Sequence, residues 1–233
     1  MKTKTLFLVL VLSVSSLTFP KAQESLSVSV NADVVSTYIW RGLYQAGLSI
    51  QPALNVGYSG FQLTAWGSTD LKQFKEFDLT LAFQTGGLTL SITDYWWAGQ
   101  GQRYFDQDLH FFEGTVAYHF GDNFPLSLAW STMFSGEGDR DEQGEKMYSS
   151  YVEAAFDCTL GDVSLRPALG LVPWGKSLYH VQPSRPGDVQ MTQVSLKATK
   201  SVQWSEALST PVFAQVVISP YDDNVHFVLG ISF

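Results

Sequence analysis

The chain of 233 residues holds a single cysteine, Cys158, and that scarcity closes several routes. One thiol cannot form an intramolecular disulfide, and no cysteine stands near the start to take a lipid anchor. Histidine is scarce as well. His110, His119, His180 and His226 are scattered, with no two spaced to share a transition metal, so no metal or cofactor is expected. Lysine and arginine number 14 against 22 acidic residues, for a net charge of −8, which argues against nucleic acid as a partner. Also missing beyond residue 23 is any apolar run near the roughly 20 residues that a membrane-crossing helix needs. Yet 45% of the chain is hydrophobic and 14% aromatic. A membrane β-barrel accommodates that combination, because its strands show hydrophobicity only at every second position.

The first residues have the order of a secretory signal peptide. Lys2 and Lys4 precede the apolar centre Leu6 to Leu12, and small and hydroxyl residues lead to Pro20-Lys21-Ala22-Gln23. Cleavage after Ala22 or Gln23 is expected, which makes residues 1–23 a removable leader and 24–233 one all-β domain. No Pro- or Ser-rich linker and no charge block divides it.

Read for a period of two, the remainder contains about twelve consecutive segments in which apolar residues alternate with small or polar ones. They lie near residues 26–40, 47–58, 61–69, 77–85, 88–97, 108–120, 125–135, 147–160, 163–173, 189–200, 210–219 and 224–233. The last shows the pattern best, with Val225, Phe227, Leu229, Ile231 and Phe233 on one face and His226, Gly230 and Ser232 on the other. Three features favour lipid over a sandwich core as the cover for the apolar faces. Short connections at Ser59-Gly60, Thr85-Gly86-Gly87, 121–124 and Gly161-Asp162 alternate with longer polar ones, as short periplasmic turns alternate with external loops. Aromatic residues collect at strand ends on the outward parity: Tyr58, Phe61, Phe83, Tyr118, Phe120, Phe156 and Phe233 at the periplasmic level, and Tyr38, Trp40, Trp96, Phe134 and Tyr148 at the external level. Amphipathic rings prefer the headgroup level. Finally, the sequence stops on Phe233 after alternating apolar residues, an ending similar to the signal read by the barrel-assembly machinery. The expected fold is therefore a transmembrane, antiparallel, up-and-down β-barrel of about 12 strands in the outer membrane, exported through the Sec pathway.

The inward parity collects Asp33, Arg41, Asp78, Glu113, His119, Glu153, Asp157, Arg166, Lys197 and His226, with many serines, threonines and amides, so a polar, wet lumen is expected. A basic residue turned toward hydrocarbon would cost roughly 2 to 4 kcal/mol at the midplane, so sorting charge to one parity is itself evidence for the barrel. A tight turn at Gly161-Asp162 pairs Leu160 with Val163, and stepping back places Asp157 opposite Arg166 as a cross-strand ion pair. Arg41, Arg166 and Lys197 facing Asp33, Glu113 and Glu153 could also set up a transverse field acting on solutes. Twelve strands lie between a barrel filled by its own side chains and a wide channel. A narrow conduit fits that size, and so does a lumen closed by the loop around Tyr179 to Pro186.

Weaker chemistry is also present. Asp94 and His110 fall on adjacent strands near the external rim, with Thr132 and Ser150 on the next two, the ingredients of an activated hydroxyl but with no surrounding motif. The acidic loop Glu137-Gly138-Asp139-Arg140-Asp141-Glu142 lacks the order of a calcium loop. Gly99-Gln100-Gly101 has no helix after it to cradle phosphate.

The stretch Asp33-Val34-Val35-Ser36-Thr37-Tyr38-Ile39-Trp40-Arg41-Gly42, followed by Gln51-Pro52-Ala53 and Trp66-Gly67-Ser68, resembles the TorF or Gcw-chp type porin family of outer-membrane proteins. The likeness covers roughly the first hundred residues. It implies a barrel, an outer-membrane location and passive transport, and it supplies no particular solute. The expected function is porin-like passage of ions or small solutes, with outer-membrane lipid, the assembly machinery and small solutes as partners. The alternatives are a structural or interaction barrel and, behind it, a lipid-processing enzyme.

Overall fold

The structure is a computed structural model that describes residues 25–98, 102–106, 109–175, 177–179, 189–206 and 208–233. The expected leader and the Gly99-Gln100-Gly101 segment lie outside these residues. The strands are β1 (Ser27–Val35), β2 (Tyr38–Trp40), β3 (Leu43–Ala46), β4 (Ser49–Tyr58), β5 (Phe61–Thr69), β6 (Lys75–Thr85), β7 (Leu88–Ala98), β8 (His110–His119), β9 (Leu126–Ser135), β10 (Ser150–Phe156), β11 (Cys158–Leu160), β12 (Val163–Val172), β13 (Gln190–Ser205), β14 (Leu208–Ser219) and β15 (Asn224–Ser232). All except β2 and β3 join one antiparallel sheet that closes on itself through β10 and β12. Because β10 and β11 both face β12 and are parted only by Asp157, they are two lengths of one wall strand, and the barrel has 12 strands.

The alternation of side chains explains both the strands and what covers them. In β5 the buried residues are Gln62, Thr64, Trp66 and Ser68, while Phe61 and Leu63 are exposed. In β15 Val225, Phe227 and Leu229 are exposed and His226 and Val228 are not. Much of the wall thus has polar residues inside and aliphatic ones outside, the reverse of a water-soluble barrel. Strands of 9 to 12 residues recur around the wall, enough at roughly 3.3 Å per residue to cross a hydrocarbon layer when tilted. Ser59 and Gly60 both have positive φ (49° and 85°), the conformation of a two-residue hairpin turn whose twist matches the strands.

One expected strand is divided. Residues 26–40 are expected as a single strand, but their alternation lapses at Val35-Ser36-Thr37 and the wall strand ends at Val35. Ser36 donates its N–H to the Leu229 carbonyl (2.8 Å) and accepts the Leu229 N–H on its own hydroxyl (2.9 Å). The side chain closes the last rung, which frees the backbone to leave the wall. The chain then turns inward as a β2–β3 hairpin, paired only with itself. This corrects the placing of Tyr38 and Trp40 in the external aromatic belt: both are buried inside the barrel, at 3% and 4% exposure. Phe134 and Tyr148 stay exposed at the end of the wall that the hairpin enters, and Tyr58, Phe61, Tyr118, Phe120 and Phe233 at the other.

Candidate functional site in the lumen

The hairpin turn is Arg41-Gly42, both with positive φ (54° and 89°). Gly42 seats against β13, where a register shift leaves Thr192 and Gln193 both buried and turns the Thr192 carbonyl toward the hairpin. A Cβ on Gly42 would run into that carbonyl, so only glycine satisfies both the turn and the approach. The docked turn aims Arg41 across the lumen at β8. Its Nη1 and Nη2 donate to Glu113 Oε2 and Oε1 at 2.5 and 2.9 Å, a two-pronged pair with both side chains essentially without solvent contact.

Other elements complete the surroundings of this pair. Tyr95 from β7 donates to Glu113 Oε1 (3.1 Å), and Tyr179, from the loop after β12, donates to Oε2 (2.5 Å). The guanidinium carbon lies 4.6 to 4.7 Å from the ring centres of Trp40, Tyr151 and Tyr179. Trp40 also packs on Tyr95, Trp97 and Tyr179 at 5.3 to 5.8 Å, chiefly edge-on or tilted, arrangements that suit the ring quadrupoles. Gly170 on β12 is the space that lets the Tyr151 ring in. Tyr179 is held from outside by a relay, since the Leu178 N–H donates to Ser149 Oγ (2.9 Å) and that hydroxyl donates to Asp139 (2.5 Å).

The rest of the lumen is polar. Asn55 Nδ2 donates to Asn31 Oδ1 (3.0 Å), and Thr64 and Gln62 donate to Asn55 Oδ1 (2.9 and 3.2 Å). Arg166 Nη1 sits 2.5 Å from Asp157 Oδ2, the ion pair expected from the Gly161-Asp162 turn, with Leu160 opposite Val163. Lys197, adjacent to Arg166 on β13, stands 3.7 Å from the centre of the Phe213 ring. Asp33, Asp78 and Glu153 are buried on the inner side, and His226 is half-buried with its ring 6.5 Å from that of Tyr44.

Two expectations change. The polar, wet lumen expected is dry at the end that the hairpin enters, where the hairpin packs with Tyr95, Met133, Tyr151 and Tyr179, each at most 2% exposed. The transverse field also loses two members, since Arg41 and Glu113 match each other at contact. Glu76 lies outside the expected segment 77–85, because β6 begins two residues earlier, at Lys75. It shares the parity of Asp78 and receives the Trp97 indole N–H at 2.5 Å. Tyr95, Trp97 and Tyr151 share the parity of the inward polar residues, and what they face, Trp40 and Arg41, comes only with the hairpin.

The rim constellation resolves into two separate pairs. His110 Nδ1 meets Asp94 Oδ1 at 2.8 Å while its Nε2 meets the Tyr104 carbonyl at 2.5 Å, so both ring nitrogens are engaged. Thr132 and Ser150 bond each other at 2.8 Å. In the acidic loop, Glu137 is held by Arg140 and Asp139 by Ser149. Among the described residues, no group of three His, Cys, Asp or Glu side chains is placed to hold a metal ion.

No family model matches the chain, and no curated protein does either. The resemblance at Asp33 to Gly42 therefore gains no support from that side. Among solved structures, one engineered variant of the Rhodobacter blastica porin is 13% identical, with a TM-score of 0.40 over 85% of this chain and 61% of its own. A second variant of the same porin is 14% identical, with a TM-score of 0.41 over 88% of this chain and 73% of its own. This chain thus spans less than two thirds of the first of these porin chains.

Proposed function

We propose that the protein is an outer-membrane barrel giving porin-like passage to ions or small solutes, with the β2–β3 hairpin narrowing the route from the external side. The carrying observation is the wall itself: closed, aliphatic outside, and polar with ion-paired residues inside. Backbone groups must all be satisfied within hydrocarbon, and a closed barrel is the β-structure that satisfies them. Export through the Sec pathway after loss of residues 1–23, and assembly through the strand ending at Phe233, belong to the same reading, as does membership of the TorF or Gcw-chp type porins. Purified protein added to planar bilayers should give discrete, salt-dependent conductance steps. Silence at high protein load, from the intact chain and from a variant lacking the hairpin, would overturn passage.

A second reading is a non-conducting structural barrel, favoured by the filled external half of the lumen. Under it, both the intact and hairpin-free proteins insert and neither conducts. The lipid-processing reading finds no support in the rim, where His110 touches neither hydroxyl.

A further inference from the structure

The pocket that holds the Arg41 guanidinium is built almost entirely by other parts of the chain. Glu113 comes from β8, Tyr95 from β7, Tyr151 from β10 and Tyr179 from the loop after β12, while the hairpin contributes only Arg41 and Trp40. We propose that this pocket is a recognition site for small organic cations with a guanidinium or alkylammonium head, and that Arg41 is a tethered occupant in their place. The proposal rests on the passage reading above and names its solute class.

The chemistry of the walls suits such a guest. A carboxylate presenting both oxygens matches a planar guanidinium, and aromatic faces attract a desolvated cation through the ring quadrupole. The two tyrosine hydroxyls bonded to Glu113 hold the carboxylate in position whether or not a cation is there. Arg41 is gripped end-on: its Nη atoms bind while its buried Nε has no hydrogen-bond partner, so the contacts are those available to a free guanidinium. A buried ion pair also adds little to stability compared with apolar packing, so stability alone is a weak reason for this one.

A second observation points to a cation independently. Asp78 Oδ1 is buried without a hydrogen-bond partner, beside Glu76, whose carboxyl is met by the Trp97 and Tyr38 side chains. Both residues lie on β6, opposite Trp97 and Tyr95 in the register, and among the described residues neither makes a salt bridge. The acidic, aromatic surface thus continues past the site Arg41 occupies and offers a mobile cation a next position.

The test separates binding from passage. Arg41→Ala, folded by the criterion of heat-modifiable gel mobility, is titrated in detergent micelles with ethylguanidinium, tetramethylammonium and neutral ethylurea, followed by tryptophan fluorescence and thermal midpoint. Saturable fluorescence change at millimolar ethylguanidinium with a raised midpoint is expected, with no response to ethylurea and none in Arg41→Ala/Glu113→Gln. No response, or an equal response to ethylurea or in the double variant, overturns the proposal. Should Arg41→Ala not fold, Arg41→Gln takes its place. In bilayers under a KCl gradient, Arg41→Ala should favour K⁺ over Cl⁻ about fivefold more than the intact protein, and ethylguanidinium should reduce its current. Conducting channels without that shift overturn the solute class and leave passage standing. Silent bilayers with cation binding intact overturn passage and leave the recognition site standing.

Discussion

Gly42 carries two requirements at once, a left-handed backbone and the absence of a Cβ beside the Thr192 carbonyl. Gly42→Ala should therefore cost about 1–3 kcal/mol and undock the hairpin while the wall persists. A lowered thermal midpoint with unchanged β-sheet circular dichroism would record it; an unchanged midpoint would contradict it. Asp157 and Arg166 form an ion pair in a partly sheltered setting, so Asp157→Asn should lower stability by roughly 1–3 kcal/mol by removing the charge on one side of a charge-assisted hydrogen bond. Denaturant titration of the detergent-solubilised protein measures that loss. Asp139 lies in the external loop, where burial holds its carboxyl above the usual range against the opposing pull of the Ser149 donors. Its folded pKa is raised, so protonation favours the docked loop, and this contribution grows as pH falls through the raised value toward that of the unfolded chain. Limited proteolysis between Glu137 and Lys146 should thus slow, not quicken, on mild acidification. The Asp157 pairing was legible in the sequence because a tight turn fixes register within a few residues. Arg41's partner was not, since Glu113 lies 72 residues away and nothing local links them.

At the level of elements, the β2–β3 hairpin decides how much of the lumen is open. Replacing residues 38–46 by a short Gly-Ser turn removes Trp40 and Arg41 together but leaves every wall pairing intact. The expected outcome is a folded barrel whose single-channel conductance exceeds that of the intact protein by about tenfold. Equal conductance would mean that the hairpin does not limit flow. Most wall strands were readable because a period of two survives without knowledge of their neighbours. The hairpin was not, because the lapse of alternation at Val35-Ser36-Thr37 is short and no proline or glycine marks the departure at Ser36. A hydroxyl that can stand in for a backbone carbonyl becomes visible only when Leu229 is beside it.

For the whole molecule, the outer surface dictates behaviour. Exposed aliphatic residues around the wall, among them Val30, Leu63, Ile92 and Leu229, exceed what a water-soluble monomer shows in one continuous band. The protein should therefore need detergent to remain dispersed and should migrate faster on gels when unheated than when boiled. Solubility of the folded chain without detergent would contradict a lipid-facing wall.

The strand pattern, the inward sorting of charge and the pairing across short turns are set by residue order. Each of these follows from the fixed alternation of side chains and from contacts a few residues apart. Long-range packing is what fills one end of the lumen with the hairpin and sets Arg41 on Glu113 within a cage of rings. Those features depend on barrel closure, which brings β7, β8, β10 and the loop after β12 to face a hairpin that leaves the wall at Ser36.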